Sequence, residues 1–150
     1  MNKTISKRVD IVSIKQVKEA SFLYEDRKIS GPESAERLFR RFIGELDREK
    51  FIVAALNTKN EVNSIEIVSI GSLNASIVSP REVFKSAILS NAASIIVCHN
   101  HPSGHIEPSK EDLSITVRLV EAGLLLGIPV IDHIIIGDDT TYSFKDKGQL

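Results

Sequence analysis

The chain has 150 residues, 42% of them hydrophobic and 26% charged, an ordinary folded-domain composition that is long enough to bury a core without disulfide or metal staples. Nineteen basic residues against twenty acidic ones leave a formal charge of −1, so the overall balance lacks the attraction on which sequence-independent nucleic-acid binding draws. The single cysteine, Cys98, excludes an intramolecular disulfide framework and a cysteine-rich zinc finger; apolar runs fall far short of the roughly 18 to 20 residues of a membrane span, and the N-terminus lacks the apolar stretch of a signal peptide, so a cytoplasmic protein is expected.

Val9-Asp10-Ile11-Val12-Ser13-Ile14 alternates in part between apolar and polar residues and predicts a strand, followed by a polar passage through Tyr24 to Ser30. After Gly31-Pro32, the apolar residues Ala35, Leu38, Phe39, Phe42, Ile43 and Leu46 recur every three or four positions, the greasy face of a helix that should stop near Asp47. Phe51 to Leu56 is a short apolar run ending in Asn57-Thr58-Lys59-Asn60, so a buried strand should turn through a hairpin into a second strand from Val62 to Ile70, ended by Gly71. Ser79-Pro80-Arg81-Glu82 combines a capping hydroxyl, a proline at the first helical position and a carboxylate three residues on, the capping-box pattern of a helix reaching about Asn91.

Ser94 to Cys98 is β-branched and apolar on both faces, as befits a strand covered on both sides, and it leads straight into the loop His99-Asn100-His101-Pro102-Ser103-Gly104. Ser109 precedes a helix of about four turns with Leu113, Val117, Val120 and Leu124 on one stripe, closed by Gly127. Pro129 to Ile136 predicts another strand and Thr141 to Phe144 a short last one. This order belongs to an α/β fold, a mixed β-sheet sandwiched by helices. No linker or repeat divides it, so residues 32–150 are expected to form one domain on which residues 1–31 pack as an N-terminal strand and a connecting segment.

On extended backbone, side chains i and i+2 point the same way, so His99 and His101 can face one point at the end of their strand. Asp112 falls in the first turn of the next helix, and a loop shaped by Pro102, Gly104 and Pro108 can fold back so that its carboxylate reaches both imidazoles. Two nitrogens and one oxygen would then surround a divalent ion and leave a fourth tetrahedral position for water, which separates catalytic from structural zinc. Zinc lowers the pKa of such a water to about 7 and polarises a carbonyl. Taken singly, each residue has a plainer explanation: a strand-end histidine is commonly a satisfied structural group, and an acidic residue three places after an N-cap serine favours the helix dipole. Their joint occurrence points to a metal.

His99-x-His101-Pro102, six residues, and Ser109-x-x-Asp112 together resemble the JAMM motif of JAB/MPN metallopeptidases. Ser79-Pro80-Arg81-Glu82-Val83-Phe84, Asn91-Ala92-Ala93, the loop from His99 to Gly104, Pro108-Ser109 and Asp132-His133-Ile134-Ile135-Ile136-Gly137 extend the likeness to the C-terminal domain of bacterial RadC proteins, over roughly Pro32 to Leu150. The resemblance implies a JAB/MPN-like, cytidine-deaminase-like sandwich with zinc held by His99, His101 and Asp112 and water as the fourth ligand. It also implies that Ser109 hydrogen-bonds the developing oxyanion or the water, besides capping its helix. The family needs a glutamate that takes the water's proton and later gives it to the leaving amine. Glu49 is assigned that role because Glu49-Lys50-Phe51 is similar to the Glu-x-Phe of RadC sequences; spacing alone does not choose it over Glu45, Glu61 or Glu66.

Asn100 stands where many eukaryotic JAMM enzymes have Ser or Thr, and RadC sequences commonly have asparagine there. His105 replaces a frequent acidic residue, and solvent exposure is expected of it. His133 is expected to be a hydrogen-bonded structural residue, and Cys98 to pack under the site as a small apolar one. The implied activity is hydrolysis of a peptide or isopeptide bond in a peptide or protein substrate. The alternative is a DNA-repair-associated or partner-binding module without peptidase activity, a label RadC proteins have carried; about thirty residues before the JAB-like part, no Gly-x-Gly hairpin signal and no basic stripe weigh against it. An HNH nuclease does not fit, because its named residues are scattered over a ββα-metal element, nor does a metallo-β-lactamase-fold enzyme, since Ser103 occupies the position of its aspartate.

Overall fold

A computed structural model describes residues 6–43, 47–71 and 78–150. In chain order these form α1 (Pro32–Ile43), β1 (Glu49–Leu56), β2 (Val62–Gly71), α2 (Pro80–Leu89), β3 (Ser94–Asn100), α3 (Lys110–Leu126), β4 (Val130–Ile136) and β5 (Thr141–Ser143). The strands make one mixed sheet in the order β2-β1-β3-β4-β5, in which β1 runs antiparallel to β2 and β3, β3 parallel to β4, and β4 antiparallel to β5. The hairpin forms where Asn57 to Asn60 predicted it: Asn57 Oδ1 accepts the Lys59 and Glu61 N–H groups, and Asn60 adopts a φ of 60°.

Helices cover both faces. On one side α1 packs Ala35, Leu38, Phe39 and Ile43 against Ile52, Ala54, Ile96, Cys98, Ile134 and Ile136. On the other, Val83, Phe84 and Ala87 of α2 and Ile115 and Leu119 of α3 pack against Phe51, Val53, Ile95, Val97 and Val130. Every residue of β3 is therefore buried, which explains its unbroken apolar run. The β3-α3-β4 crossover carries the start of α3 back to the C-terminal end of β3, the place where open α/β sheets hold their ligands.

Three expectations change. Val9 to Ile14 forms no strand; Val9 and Ile11 are 79% and 101% exposed, and the stretch pairs in none of the sheet's ladders. Residues further along are held instead: Gln16 donates to the Ser86 carbonyl of α2, Phe22 packs edge-on against Phe42, and Arg41 donates to the Leu23 carbonyl. Leu46, expected at the end of the first apolar face, lies outside the described residues, and α2 ends at Leu89, short of Asn91, whose φ is 51°. At its start Ser79 accepts the Glu82 N–H, while the Glu82 carboxylate takes Lys85 and leaves that capping box half made.

The third change is the rotation of α3. It buries Asp112, Ile115, Thr116, Leu119 and Gly123, leaving Leu113, Val117 and Leu124 outside. The helix carries two apolar stripes, and its close approach to the sheet at Gly123 selects the inner one: a Cβ there would stand 2.6 Å from the Ile128 carbonyl oxygen and 3.3 Å from Phe84 Cζ. None of the described helices is long and apolar enough to cross a membrane.

If Leu119 is core and Val117 surface, Leu119→Ala should lower the unfolding free energy by about 2–5 kcal/mol. Val117→Thr should stay within about 0.5 kcal/mol of wild type. Urea denaturation measures both, and the opposite ranking would return the outer stripe to the core.

Candidate metal centre

His99 is on β3 with the parity of Ile95 and Val97, so its ring faces the α2/α3 side. His101 follows two residues later with its backbone still extended, because its N–H donates to the Ile136 carbonyl (3.0 Å) and prolongs the β3–β4 ladder beyond the strand. The chain then turns through Gly104, whose φ of 81° suits glycine, and enters α3 by a complete capping box. Ser109 Oγ accepts the Asp112 N–H (3.1 Å), and Asp112 Oδ2 accepts the Ser109 N–H (2.8 Å). The box that caps the helix also turns the Asp112 carboxylate towards the imidazoles.

Three side chains meet there. His99 Nε2 lies 3.0 Å from His101 Nε2 and 3.1 Å from Asp112 Oδ1, and His101 Nε2 lies 3.2 Å from Asp112 Oδ2. The His99 and Asp112 side chains are wholly enclosed, and that of His101 is 13% exposed. His101 Nδ1 is 2.8 Å from the His105 carbonyl oxygen; a carbonyl only accepts, so Nδ1 carries the hydrogen and a neutral His101 turns the lone pair of Nε2 into the cluster. Asp112 Oδ1 is buried with no hydrogen-bond partner among the described residues.

Electron-rich atoms packed so closely, one of them an orphaned carboxylate oxygen, need a positive charge among them. A tetrahedral shell with bonds of roughly 2.0–2.1 Å has ligand–ligand edges of roughly 3.3 Å; one ligand atom from each of the three residues lies within 4.8 Å of the others, and each imidazole has a carboxylate oxygen within 3.2 Å. His99, His101 and Asp112 thus form a group able to hold a metal ion.

The same proximity governs protons when no ion is bound. The hydrogen bond to Asp112 raises the His101 pKa against the opposing effect of burial, and the His105 carbonyl and the charges of Asp112 and Glu49 add to it. Burial acts to raise the Asp112 carboxyl, but His101, His99 and the Ser109 N–H outweigh it and hold that group far below the ordinary carboxylate range. Burial, aided by the neighbouring His99, pushes the His133 pKa well below the usual imidazole value, so His133 is neutral.

Glu49 opens β1. Phe51 pairs with His99 in the β1–β3 ladder, so continuing that register two residues sets Glu49 opposite His101 and on the same face as both imidazoles. It is outside the converging triad, yet its charge is felt by His101. Of the other glutamates, Glu61 is bound by Asn57 at the hairpin, Glu66 lies exposed on β2, and Glu45 is outside the described residues.

Asn100, whose side chain is buried, accepts the Lys50 N–H at Oδ1 (2.8 Å) and donates from Nδ2 to the Arg48 carbonyl (2.8 Å), clamping the backbone on either side of Glu49. Sequence reasoning missed this; an amide between two histidines carries no signal that it reaches a neighbouring strand. It also missed the His105 backbone: the exposed side chain takes no part, whereas the carbonyl orients His101. Cys98 is buried as expected, but on the α1 face, across the sheet from the imidazoles. His133 is hydrogen-bonded and buried, with Nε2 2.8 Å from His99 Nδ1.

Comparison with known proteins gives a family match. The model of the RadC-like JAB domain fits residues 29–149. A UPF0758 protein of Methanosarcina mazei is 56% identical over 122 residues, which are 81% of this chain and 53% of that protein. A UPF0758 protein of Alkaliphilus metalliredigens is 55% identical over 123 residues, 82% of this chain and 53% of its own length. One of Clostridium botulinum is 46% identical over 149 residues, 97% of this chain and 65% of that protein. The chain spans about half the length of the first two relatives and just under two thirds of the third.

The coupled His101–Asp112 pair predicts a pH dependence of metal-free stability, isolated by subtracting the stability of Asp112→Asn from that of wild type. The raised His101 pKa adds stability that is whole below the ordinary imidazole value and lost as pH rises through the folded value. The lowered Asp112 pKa adds stability that is whole above the ordinary carboxylate value and lost as pH falls towards the folded one. The difference should therefore be largest between roughly pH 4 and 6.5. A flat difference in denaturant titrations of the metal-free proteins would show that the pair is uncoupled.

Proposed function

The chain belongs to the RadC-like JAB domain family, and from that premise we propose that it is a zinc-dependent hydrolase of amide bonds, a metallopeptidase with a peptide or protein substrate. The observation that carries the reading is the buried triangle of His99 Nε2, His101 Nε2 and Asp112, with its orphaned carboxylate oxygen. Two imidazole nitrogens and one carboxylate oxygen suit zinc, and three protein ligands are the number found at catalytic zinc. Zinc bound there would supply a water acidic near neutral pH and a Lewis acid for the substrate carbonyl.

The chain's own groups do the rest in this proposal. Glu49 takes a proton from the attacking water on a carboxylate oxygen and returns it to the leaving amine nitrogen as the C–N bond breaks. Ser109 Oγ already accepts the Asp112 N–H, so its hydroxyl hydrogen is the one to donate to the carbonyl oxygen as negative charge develops there. Asn100 keeps Glu49 in place by holding Arg48 and Lys50. In this proposal the substrate approaches from the side of His101, the one partly exposed member of the group. A cytoplasmic setting, with Cys98 kept as a thiol, completes the proposal.

Elemental analysis of untagged protein should find about one zinc per chain. His101→Ala should lose the metal. Glu49→Gln should retain it while hydrolysis of a peptide library falls by about 10²–10⁴-fold. Undiminished hydrolysis in Glu49→Gln would remove Glu49 from its role, and wild-type protein that binds no zinc would remove the hydrolase. Salt-sensitive DNA binding that survives metal removal, without amide hydrolysis, would favour a DNA-repair-associated module instead.

A further inference from the structure

We propose that His133 and Thr116 are positioning residues that hold His99 in the tautomer whose Nε2 lone pair faces the cluster, an inference that rests on the metal reading of the site. Thr116 Oγ1 lies 2.6 Å from the Asp112 carbonyl oxygen and 2.6 Å from His133 Nδ1. A hydroxyl has one hydrogen and a carbonyl only accepts, so Thr116 donates to Asp112 and accepts from His133 Nδ1–H. A neutral imidazole that donates at Nδ1 accepts at Nε2, and His133 Nε2 is 2.8 Å from His99 Nδ1. His99 therefore carries its hydrogen on Nδ1 and keeps the lone pair of Nε2 for the cluster.

The opposite order would spend the one Thr116 hydrogen on His133 Nδ1 and leave Thr116 Oγ1 and the Asp112 carbonyl oxygen 2.6 Å apart with no hydrogen between them. The relay thus begins at the backbone of Asp112, which supplies one ligand, and ends on the ring of His99, which supplies another. Outer hydrogen bonds of this kind set the tautomer and orientation of metal-binding histidines generally.

His133 reaches this position through an irregularity of the sheet. Ile95 pairs with Val130 but Ile96 pairs with Asp132, so β4 carries one extra residue at Ile131. Val130 faces the α2/α3 core, whereas Ile134 and Ile136 face α1, a change of side that regular alternation over an even spacing does not allow. The extra residue turns His133 to the side of His99 and Thr116. There Phe144 stacks on its ring at 4.7 Å and Phe51 meets it edge-on at 5.6 Å, so the relay is buried.

The test uses zinc alone, its affinity read by competition with a chromophoric chelator. His133→Phe keeps the ring packing but removes the acceptor, and Thr116→Val removes the hydroxyl at nearly constant shape. Each should weaken zinc binding by about 10- to 100-fold, while His133→Gln and Thr116→Ser, which keep an acceptor and a hydroxyl, should recover most of the loss. Thermal unfolding of the metal-free variants reports the structural effect separately. Wild-type affinity in a folded His133→Phe, or in Thr116→Val should the former not fold, overturns the inference.

Long-range ¹⁵N–¹H spectra of the metal-free wild type at mildly alkaline pH give a readout independent of zinc. Hydrogen on Nδ1 of both His99 and His133 is expected, and hydrogen on Nε2 of His133 overturns the relay. Wild-type protein that binds no zinc but shows the expected tautomers would sink the metal reading while leaving the hydrogen-bond assignment intact.

Discussion

A carboxylate held between two imidazoles out of contact with water is the constraint around which this fold is arranged. Removing Asp112 from solvent is costly unless each of its oxygens is matched, and the two are matched differently. Oδ2 accepts the Ser109 N–H and so finishes the N-terminal cap of α3, whereas Oδ1 is left to the cluster. One residue thereby ends a helix and contributes to a site, and the positive end of the α3 dipole favours its charge. A shift of α3 along its axis would uncouple these two roles, and the tight seat of Gly123 against Ile128 and Phe84 resists such a shift.

The sheet supplies the two imidazoles with little adjustment. β3 is central and covered on both faces, so alternation alone sends His99 to the α3 side, and the ladder bond from His101 to Ile136 keeps the next residue of that parity in line. Because β1 is antiparallel to β3, its start lies at the same end of the sheet, which brings Glu49 beside the imidazoles without a loop of its own. Asn100 has the opposite parity and serves the neighbouring strand, where it clamps the backbone around Glu49. The His-x-His spacing and the asparagine within it thus act in different directions from one short stretch of backbone.

Membership of the RadC-like JAB family accounts for the match from residue 29 to 149, and the described elements from α1 to β5 lie within it. The relatives are longer than this chain. The group of His99, His101 and Asp112 is nonetheless contained in one crossover, between the end of β3 and the first turn of α3. Its supports come from β1, β4 and the loop at His105, all inside the family domain.

Local chemistry made much of this legible from the residues alone. The turn at Asn57 to Asn60, the Ser109 cap, the stop at Gly127 and the convergence of His99, His101 and Asp112 each depend on neighbours within a dozen or so residues, where backbone preferences and side-chain period are strong. Other features depend on contacts between distant segments. Val9 to Ile14 has the composition of a strand but no ladder to join; α3 has two apolar stripes, and only the approach of β4 and α2 at Gly123 picks the buried one. The tilt of His133 towards His99 follows from an extra residue in β4, and alternation read along a single segment carries no sign of a register slip against its neighbour. Sequence determined the convergence of His99, His101 and Asp112 because they are close in the chain; tertiary structure decided which rings and carbonyls orient them, because hydrogen bonds across strands are set by register and packing.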